Sequence, residues 1–375
     1  MFNINKLVII GGAIALALIV GISVYKNHSA SAPSTDGRST IKIGVSLPLT
    51  GNLAVYGRAL QKSLDLSLHD AQKNNLKYNY KIVVEDDAYD LKTTMVNLNR
   101  FKSIDNVDAV MSFWGNAGTL TSDWAEKNKV IHMSCALSDK VGVGYYNFNH
   151  ATQPKTVLSR LLKFYQDNNF KRVGIAYLRT LEIQEFVDNL VPFLKQNNLD
   201  VVFTTAFSPQ VRDMRIEILK MKEAKPDVMA VFMNSPVINI FGKQSRDLGF
   251  NVPKSSINNM TDALDEYEGQ SYITEDSGKS EFTRHYEKST GMVQTACVVN
   301  FYDGLHMLIN AYEKTPPSAG DTIPSNEDIV ETLLDLEHNG FESVIEGISM
   351  DAEGNIDSPA VLKRIIHRKP TIVDK

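Results

Sequence analysis

The stretch Ile41-Lys42-Ile43-Gly44-Val45-Ser46-Leu47-Pro48-Leu49-Thr50-Gly51, followed by Tyr56-Gly57, decides how the rest of the chain is read. Its first part, Ile41 to Leu47, is a short, mostly apolar run that Pro48 and Gly51 terminate, which predicts a strand ending in a loop. From Gly57 to Asn75 the residues Leu60, Leu64, Leu68 and Ala71 recur at helical spacing. The rhythm then repeats. Strands are expected at 82–84, 109–111, 130–134, 172–177, 200–206 and 227–233, and helices at 91–104, 117–128, 155–168, 183–196, 211–223 and 236–248. Strands separated by helices of this length imply parallel sheets with crossover helices, an α/β fold. So many units exceed one open sheet, and the break at 147–154 is where the chain would pass from one lobe to another. The last hundred residues differ: helices at 279–290, 294–314 and 327–338, then short apolar runs about the turn Asp351 to Asn355.

Composition narrows the function. The chain has 375 residues, 43% hydrophobic and 22% charged, with 39 Lys+Arg against 44 Asp+Glu, a net charge of −5. Wholesale disorder is excluded, and the basic surplus of a nucleic-acid-binding protein is missing. Two cysteines, Cys135 and Cys297, supply neither a disulfide scaffold nor a four-thiolate metal site.

The N-terminus reads as a membrane address. Leu7 to Tyr25 is nineteen residues without charge, flanked by Lys6 and Lys26. That is about the length of a bilayer span and longer than the usual signal-peptide core of ~7–15 residues. Ala30-Ser31-Ala32 offers a cleavage site, with Pro33 against cutting. Residues 1–28 are therefore a signal peptide or an anchor, residues 29–40 a flexible linker, and the remainder is expected outside the cytoplasm.

Motifs for covalent chemistry are missing. There is no G-x-S-x-G. Gly278-Lys279-Ser280 ends like a phosphate loop, but Ile273 stands where its first glycine belongs. No H-x-x-x-H pair occurs, and Asp351 to Asp357 lacks the calcium-loop glycine and glutamate positions, so it reads as a polar turn. Neither cofactor nor metal is expected. What remains is loop chemistry beyond strand ends, where open parallel sheets bind ligands. Three loops stand out: 48–57, 113–119 with Trp114 and Asn116, and 134–139 with Cys135 and Ser138. Small residues opening a helix leave backbone N–H groups to meet a carboxylate or carbonyl oxygen. Glu85-Asp86-Asp87 is expected to be a solvated strand-end cluster. Cys135 is either a small buried filler or a ligand contact.

The opening stretch resembles that of the leucine/isoleucine/valine-type periplasmic solute-binding proteins, the receptors of ABC importers. Further matches follow in order: Glu85-Asp86-Asp87 with Asp90, Ile131 to Ser134, Lys171 to Ile175, Lys225 to Val228, Arg246 to Gly249, Tyr302-Asp303-Gly304 and Asp351 with Gly354-Asn355. The resemblance implies two Rossmann-like lobes with parallel central sheets, joined by a three-strand hinge, with ligand in the cleft. Lobe 1 would comprise 41–149 and 275–346, lobe 2 150–274 and 347–375. Carried over by loop, the contacts fall on Tyr56, Asn116, Ala136, Leu137 and Ser138 in lobe 1, and Trp114, read from its own loop, is expected as an apolar wall of the pocket. In lobe 2 they fall on Glu182, on Asn234 or Ser235, and on Met260. Asn116 and Ser138, with nearby backbone N–H groups, would grip a substrate carboxylate. Where the family places the carboxylate that receives the ligand's ammonium, this chain has Met260, so an ordinary α-amino acid is disfavoured unless Glu182, in a matched contact loop, or Asp262 supplies that charge. The family's lobe-1 disulfide would fall near Tyr89 and Gly115, and both halves are missing here. The resemblance thus implies an extracytoplasmic binding component that captures a small polar organic ligand, an amino acid, amide or related compound. It would deliver that ligand to a membrane permease served by a separate ATPase. The alternatives are a membrane-tethered sensing domain signalling to a partner and, more remotely, an enzyme using Glu182 and Asp262 as an acid/base pair.

Overall fold

In the computed structural model, residues 37–257, 265–335 and 341–374 are described. The stretch Leu7–Tyr25 and the expected contacts Met260 and Asp262 lie outside them. No helix among the described residues is long and apolar enough to cross a membrane.

The chain begins with β1 (Thr40–Leu47), the helix Ala54–Ala71, β2 (Asn79–Asp86), the helix Leu91–Arg100 with a π-helical turn at Phe101–Asp105, β3 (Ala109–Phe113), the helix Gly115–Asn128, β4 (Ile131–Cys135) and β5 (Asn147–Ala151). After the helix Pro154–Asp167 come β6 (Arg172–Leu178), the helix Leu181–Gln196, β7 (Asp200–Phe207), the helix Arg215–Glu223, β8 (Val228–Phe232), the helix Val237–Asp247, β9 (Lys254–Ser256) and β10 (Ser271–Glu275). The helices Ser280–Thr290, Val298–Lys314 and Asn326–Leu334 follow, then β11 (Ser349–Met350), β12 (Asn355–Asp357), β13 (Ala360–Ile366) and β14 (Lys369–Asp374).

These strands form two seven-stranded sheets, ordered β2-β1-β3-β4-β5-β12-β11 and β7-β6-β8-β9-β10-β13-β14. Pairing is parallel through β1-β3-β4-β5-β12 and β7-β6-β8-β9-β10, with antiparallel hairpins at the β11 and β14 edges. The two-lobed fold expected from the resemblance is therefore observed. Period-two alternation builds the second lobe's two cores. Val173, Ile175 and Tyr177 of β6 and Val228, Ala230 and Phe232 of β8 pack on one face. Ala176 and Leu178, with Met229 and Val231, pack on the other.

The chain passes between the sheets three times, after β5, after β10 and between β12 and β13. Hydrogen bonds lace these crossings: Ser358 N to Ala151 O at 3.2 Å, Asp276 N to Pro359 O at 3.0 Å, and Gln153 N to Asp357 Oδ1 at 2.9 Å. Two sequence expectations change. The segment 147–154 is not merely a break, because Asn147–Ala151 is a fully buried strand of the first sheet. Residues 349–350 and 355–357, expected with lobe 2, pair in the first sheet. We propose that lobe 2 resumes only after this third crossing, near Ser358.

In each sheet the strand order reverses at one place, between β1 and β3 in the first and between β6 and β8 in the second. A cleft opens at such a reversal, because the connections leave on opposite faces. The loops at 48–57, 113–119, 178–182 and 233–237 are those that the reversals expose.

Candidate functional site

Loop 48–57 is fixed by the acidic cluster, which is not simply solvated. Asp86 accepts from Leu49 N at 2.8 Å, Thr50 N at 3.2 Å and Thr50 Oγ1 at 2.6 Å. Asp87 is 1% exposed and accepts from Ser46 Oγ at 2.8 Å and Tyr89 N at 2.8 Å. Glu85 pairs with Arg100 at 2.8 Å. Gly57 lets the following helix lie against the loop: a Cβ there would stand 2.1 Å from Pro48 O. Gly57→Ala is expected to cost about 1–3 kcal/mol, because backbone has to move. Its urea midpoint should fall accordingly, and an unchanged midpoint would contradict this packing.

The loop after β3 carries Trp114 with φ +63°, a conformation that bulky side chains rarely adopt. Aromatic neighbours surround it: Phe113 stacks at 4.3 Å between centroids, Tyr56 tilts at 5.2 Å and Tyr89 meets it edge-on at 5.8 Å. Trp114 N donates to Cys135 O at 3.0 Å, tying this loop to the end of β4. Cys135 is neither a free filler nor a lone contact. It forms a disulfide with Cys297, 162 residues away, just before the helix Val298–Lys314. No spacing rule pairs cysteines so far apart.

Between the loops of the two lobes lies a cavity of about 550 Å³. Of the expected contacts, Tyr56, Trp114, Ala136, Leu137, Glu182, Asn234 and Ser235 stand on its wall, whereas Asn116 and Ser138 do not. Tyr89, Thr180, Glu275 and the disulfide line it too, and sequence reading nominated none of these except Cys135. Thr152, on the first crossing, lines the cavity with a buried hydroxyl that has no hydrogen-bond partner among the described residues.

The lobes touch directly at the head of the cavity. Thr180 caps the helix Leu181–Gln196, so Glu182 sits in its first turn, pointing across the cleft. Its carboxylate accepts from Leu137 N at 3.0 Å and from the backbone N–H of Gly115, both in lobe 1. The fit is close: a Cβ on Gly115 would stand 3.0 Å from Cβ, Cγ and Cδ of Glu182. One turn on, Glu185 accepts from Ser138 Oγ at 3.2 Å and pairs with Lys140 at 3.4 Å. Two further lobe-1 donors are engaged as well. Ala136 N donates to Asn149 Oδ1 at 3.0 Å, and Asn116 N–H donates to the Tyr89 hydroxyl.

Burial pushes the Glu182 carboxyl up to about 7; the Gly115 and Leu137 N–H groups pull it down, and Glu185 adds like charge. Tyr89 faces it from the other lobe, held neutral by burial and by the charges of Glu182 and Asp87. Folded protein thus keeps this proton to higher pH than the unfolded chain, whose value is near 4.5. The resulting stability is fully present below 4.5 and is lost as pH rises through about 7. That burial belongs to the closed arrangement, so closure of the wild-type lobes should weaken by on the order of 1–3 kcal/mol between about pH 5 and pH 8 relative to Glu182→Gln. The radius of gyration of the two proteins followed across this pH range checks this, and parallel profiles for the two proteins would contradict it.

Two lobes of reversed-order parallel sheets, closing over a lined cavity, define the class to which this architecture belongs, the bilobal ligand receptors. Residues 40–359 match the periplasmic binding protein family model, and the chain belongs to that family. No curated protein matches the chain in sequence. Among solved structures, it is similar to the branched-chain amino acid transporter substrate-binding protein LivJ from Streptococcus pneumoniae in complex with isoleucine. That match has TM-score 0.77 and 19% identity, covering 90% of this chain and 100% of that one. It is also similar to the leucine-binding protein LivK from Thermotoga maritima, with TM-score 0.76 and 18% identity over 88% and 97% of the two chains. A third is an ABC-transporter solute-binding protein from R. palustris in complex with benzoate, with TM-score 0.74 and 13% identity over 90% and 96%. At such identities the likeness is one of fold.

Proposed function

We propose that the chain is the extracytoplasmic solute-binding component of an ABC importer, capturing a small polar organic ligand between two closing lobes. The observation that carries this reading is the cavity of about 550 Å³ at the two sheet reversals, with side chains of both lobes meeting at its head. Its wall mixes an aromatic cluster with a few polar groups, as ligand pockets do. The solved relatives named above, bound to isoleucine and to benzoate, support a small organic molecule as cargo. The mechanism is capture without chemistry: lobes that exchange between open and closed forms are shifted to the closed form by a ligand that touches both. A permease then reads the closed form, and a separate ATPase supplies the energy. Residues 7–25 act as signal peptide or anchor in this reading, with the binding domain outside the cytoplasm.

The test is a ligand panel of amino acids, amides, ureas and aromatic acids, read by thermal shift and tryptophan fluorescence. At least one class should raise the melting temperature and change emission, and Trp114→Phe should remove the emission change. A domain that responds to none of them would sink the proposal.

A further inference from the structure

Four backbone donors and one hydroxyl of lobe 1 near the cavity are engaged by the protein's own side chains. Glu182 fills the Gly115 and Leu137 N–H pair, Tyr89 takes the Asn116 N–H, Asn149 the Ala136 N–H, and Glu185 the Ser138 hydroxyl. The charge of the wall points the same way. Its described residues include two carboxylates, Glu182 and Glu275, and no Lys, Arg or His. A ligand carboxylate placed here would face like charge and meet no cation among the described wall residues, with the Thr152 hydroxyl still open to it as a donor.

A donor meets the opposite circumstances. Glu182 uses oxygen lone pairs on two N–H groups, and an ionised carboxylate has about four such sites. Glu275 accepts from Cys297 N at 3.1 Å and from Thr274 Oγ1 at 3.3 Å and likewise retains acceptor capacity. Tyr56, Tyr89 and Trp114 present aromatic surface to the same space, which suits a flat apolar body and favours a cationic head near their faces. Resting on the solute-binding reading above, we propose that this cavity selects an N–H-bearing organic ligand without a carboxylate, an amine, amidine or amide on a flat or apolar body. Glu182 is its specificity-determining residue, acting as a built-in occupant of the carboxylate position and as the acceptor for the ligand's N–H groups.

Matched sets on three scaffolds test this by calorimetry at about pH 8, where Glu182 is ionised: benzylamine, benzamide and benzoate; tryptamine, indole-3-acetamide and indole-3-acetate; isoamylamine, isovaleramide and isovalerate. The full domain should bind an amine or amide at least about tenfold more tightly than the carboxylate of the same scaffold. Glu182→Ala vacates the N–H pair, so it should weaken the amine or amide and strengthen the matching carboxylate, each by about tenfold. Carboxylates that bind wild type more tightly than their N–H counterparts would overturn the inference while leaving solute binding intact. So would a preference unchanged in Glu182→Ala. If no member of any set binds, this inference is overturned, while the wider panel above decides the solute-binding reading separately.

Discussion

Replacing Cys135 and Cys297 together by Ala lowers the stability of the ligand-free domain by about 3–5 kcal/mol. The bridge closes a loop of 162 residues that contains the whole middle of the chain, including β6 to β10. Cross-linking so long a loop removes much of the unfolded chain's freedom, which is the main source of a disulfide's effect in the loop-entropy account. Alanine lacks the half-cystine's sulfur, so a small gap opens at both buried positions, at 4% and 5% exposure, but no unsatisfied polar group is created. The effect extends to the site. Cys135 O receives the Trp114 N–H, and Cys297 N donates to Glu275, so cutting the bridge loosens two walls of the cavity. Urea titration of the oxidised protein, the reduced protein and the double variant checks this. Reduced and double-variant proteins should unfold at similar, lower midpoints. Three coincident curves would show that the two sulfurs are not joined. An oxidising compartment is where such a bridge persists, in keeping with the extracytoplasmic placement proposed above.

Gly115→Val should weaken ligand binding by about 10- to 100-fold with little change in the stability of the ligand-free protein. The reason lies in what the new side chain meets. Even a single methyl at Gly115 stands 3.0 Å from three carbons of Glu182, and those carbons belong to the opposite lobe. Two further methyls deepen the clash, yet an open cleft relieves it by separating the lobes. Closure alone then bears the cost of overpacking, about 1–3 kcal/mol. Calorimetry with any bound ligand, alongside urea titration without ligand, separates the two quantities. A variant that binds as tightly as wild type would show that Glu182 does not meet Gly115 in the bound form.

Most of the architecture could be read from the sequence because buried parallel strands are written as apolar runs. Ala109–Phe113 and Val228–Phe232 are buried throughout and were visible as such. Several of the strands that escaped are polar, although Ser271–Glu275, with buried Tyr272 and Ile273, escaped as well. Asn147–Ala151 is equally buried, but its Asn147 bonds the ring of His132 at 2.9 Å and its Asn149 bonds both backbone groups of Ala136. A run rule cannot see a strand whose side chains are satisfied by partners elsewhere. Lys254–Ser256 and Asn355–Asp357 escaped for the same reason of composition. In the site, Tyr56, Trp114 and Leu137 were nominated from loops at strand ends, and the cavity is indeed built there. Glu182 was nominated as a ligand contact, but its bond to Leu137 depends on how the lobes meet, a distance relation with no local signature. Tyr89 was overlooked because its role comes from a left-handed backbone turn, φ +61°, that swings its ring onto Trp114.

The central claim is that two hinged lobes close over a ligand held between them. Small-angle X-ray scattering of the domain, with and without a saturating ligand from the panel, tests it most directly. The account predicts a smaller radius of gyration on binding and a bound-state curve that matches the bridged arrangement of Glu182 with Gly115 and Leu137, while Gly115→Val stays expanded. Identical curves for free and fully bound wild-type protein would contradict it.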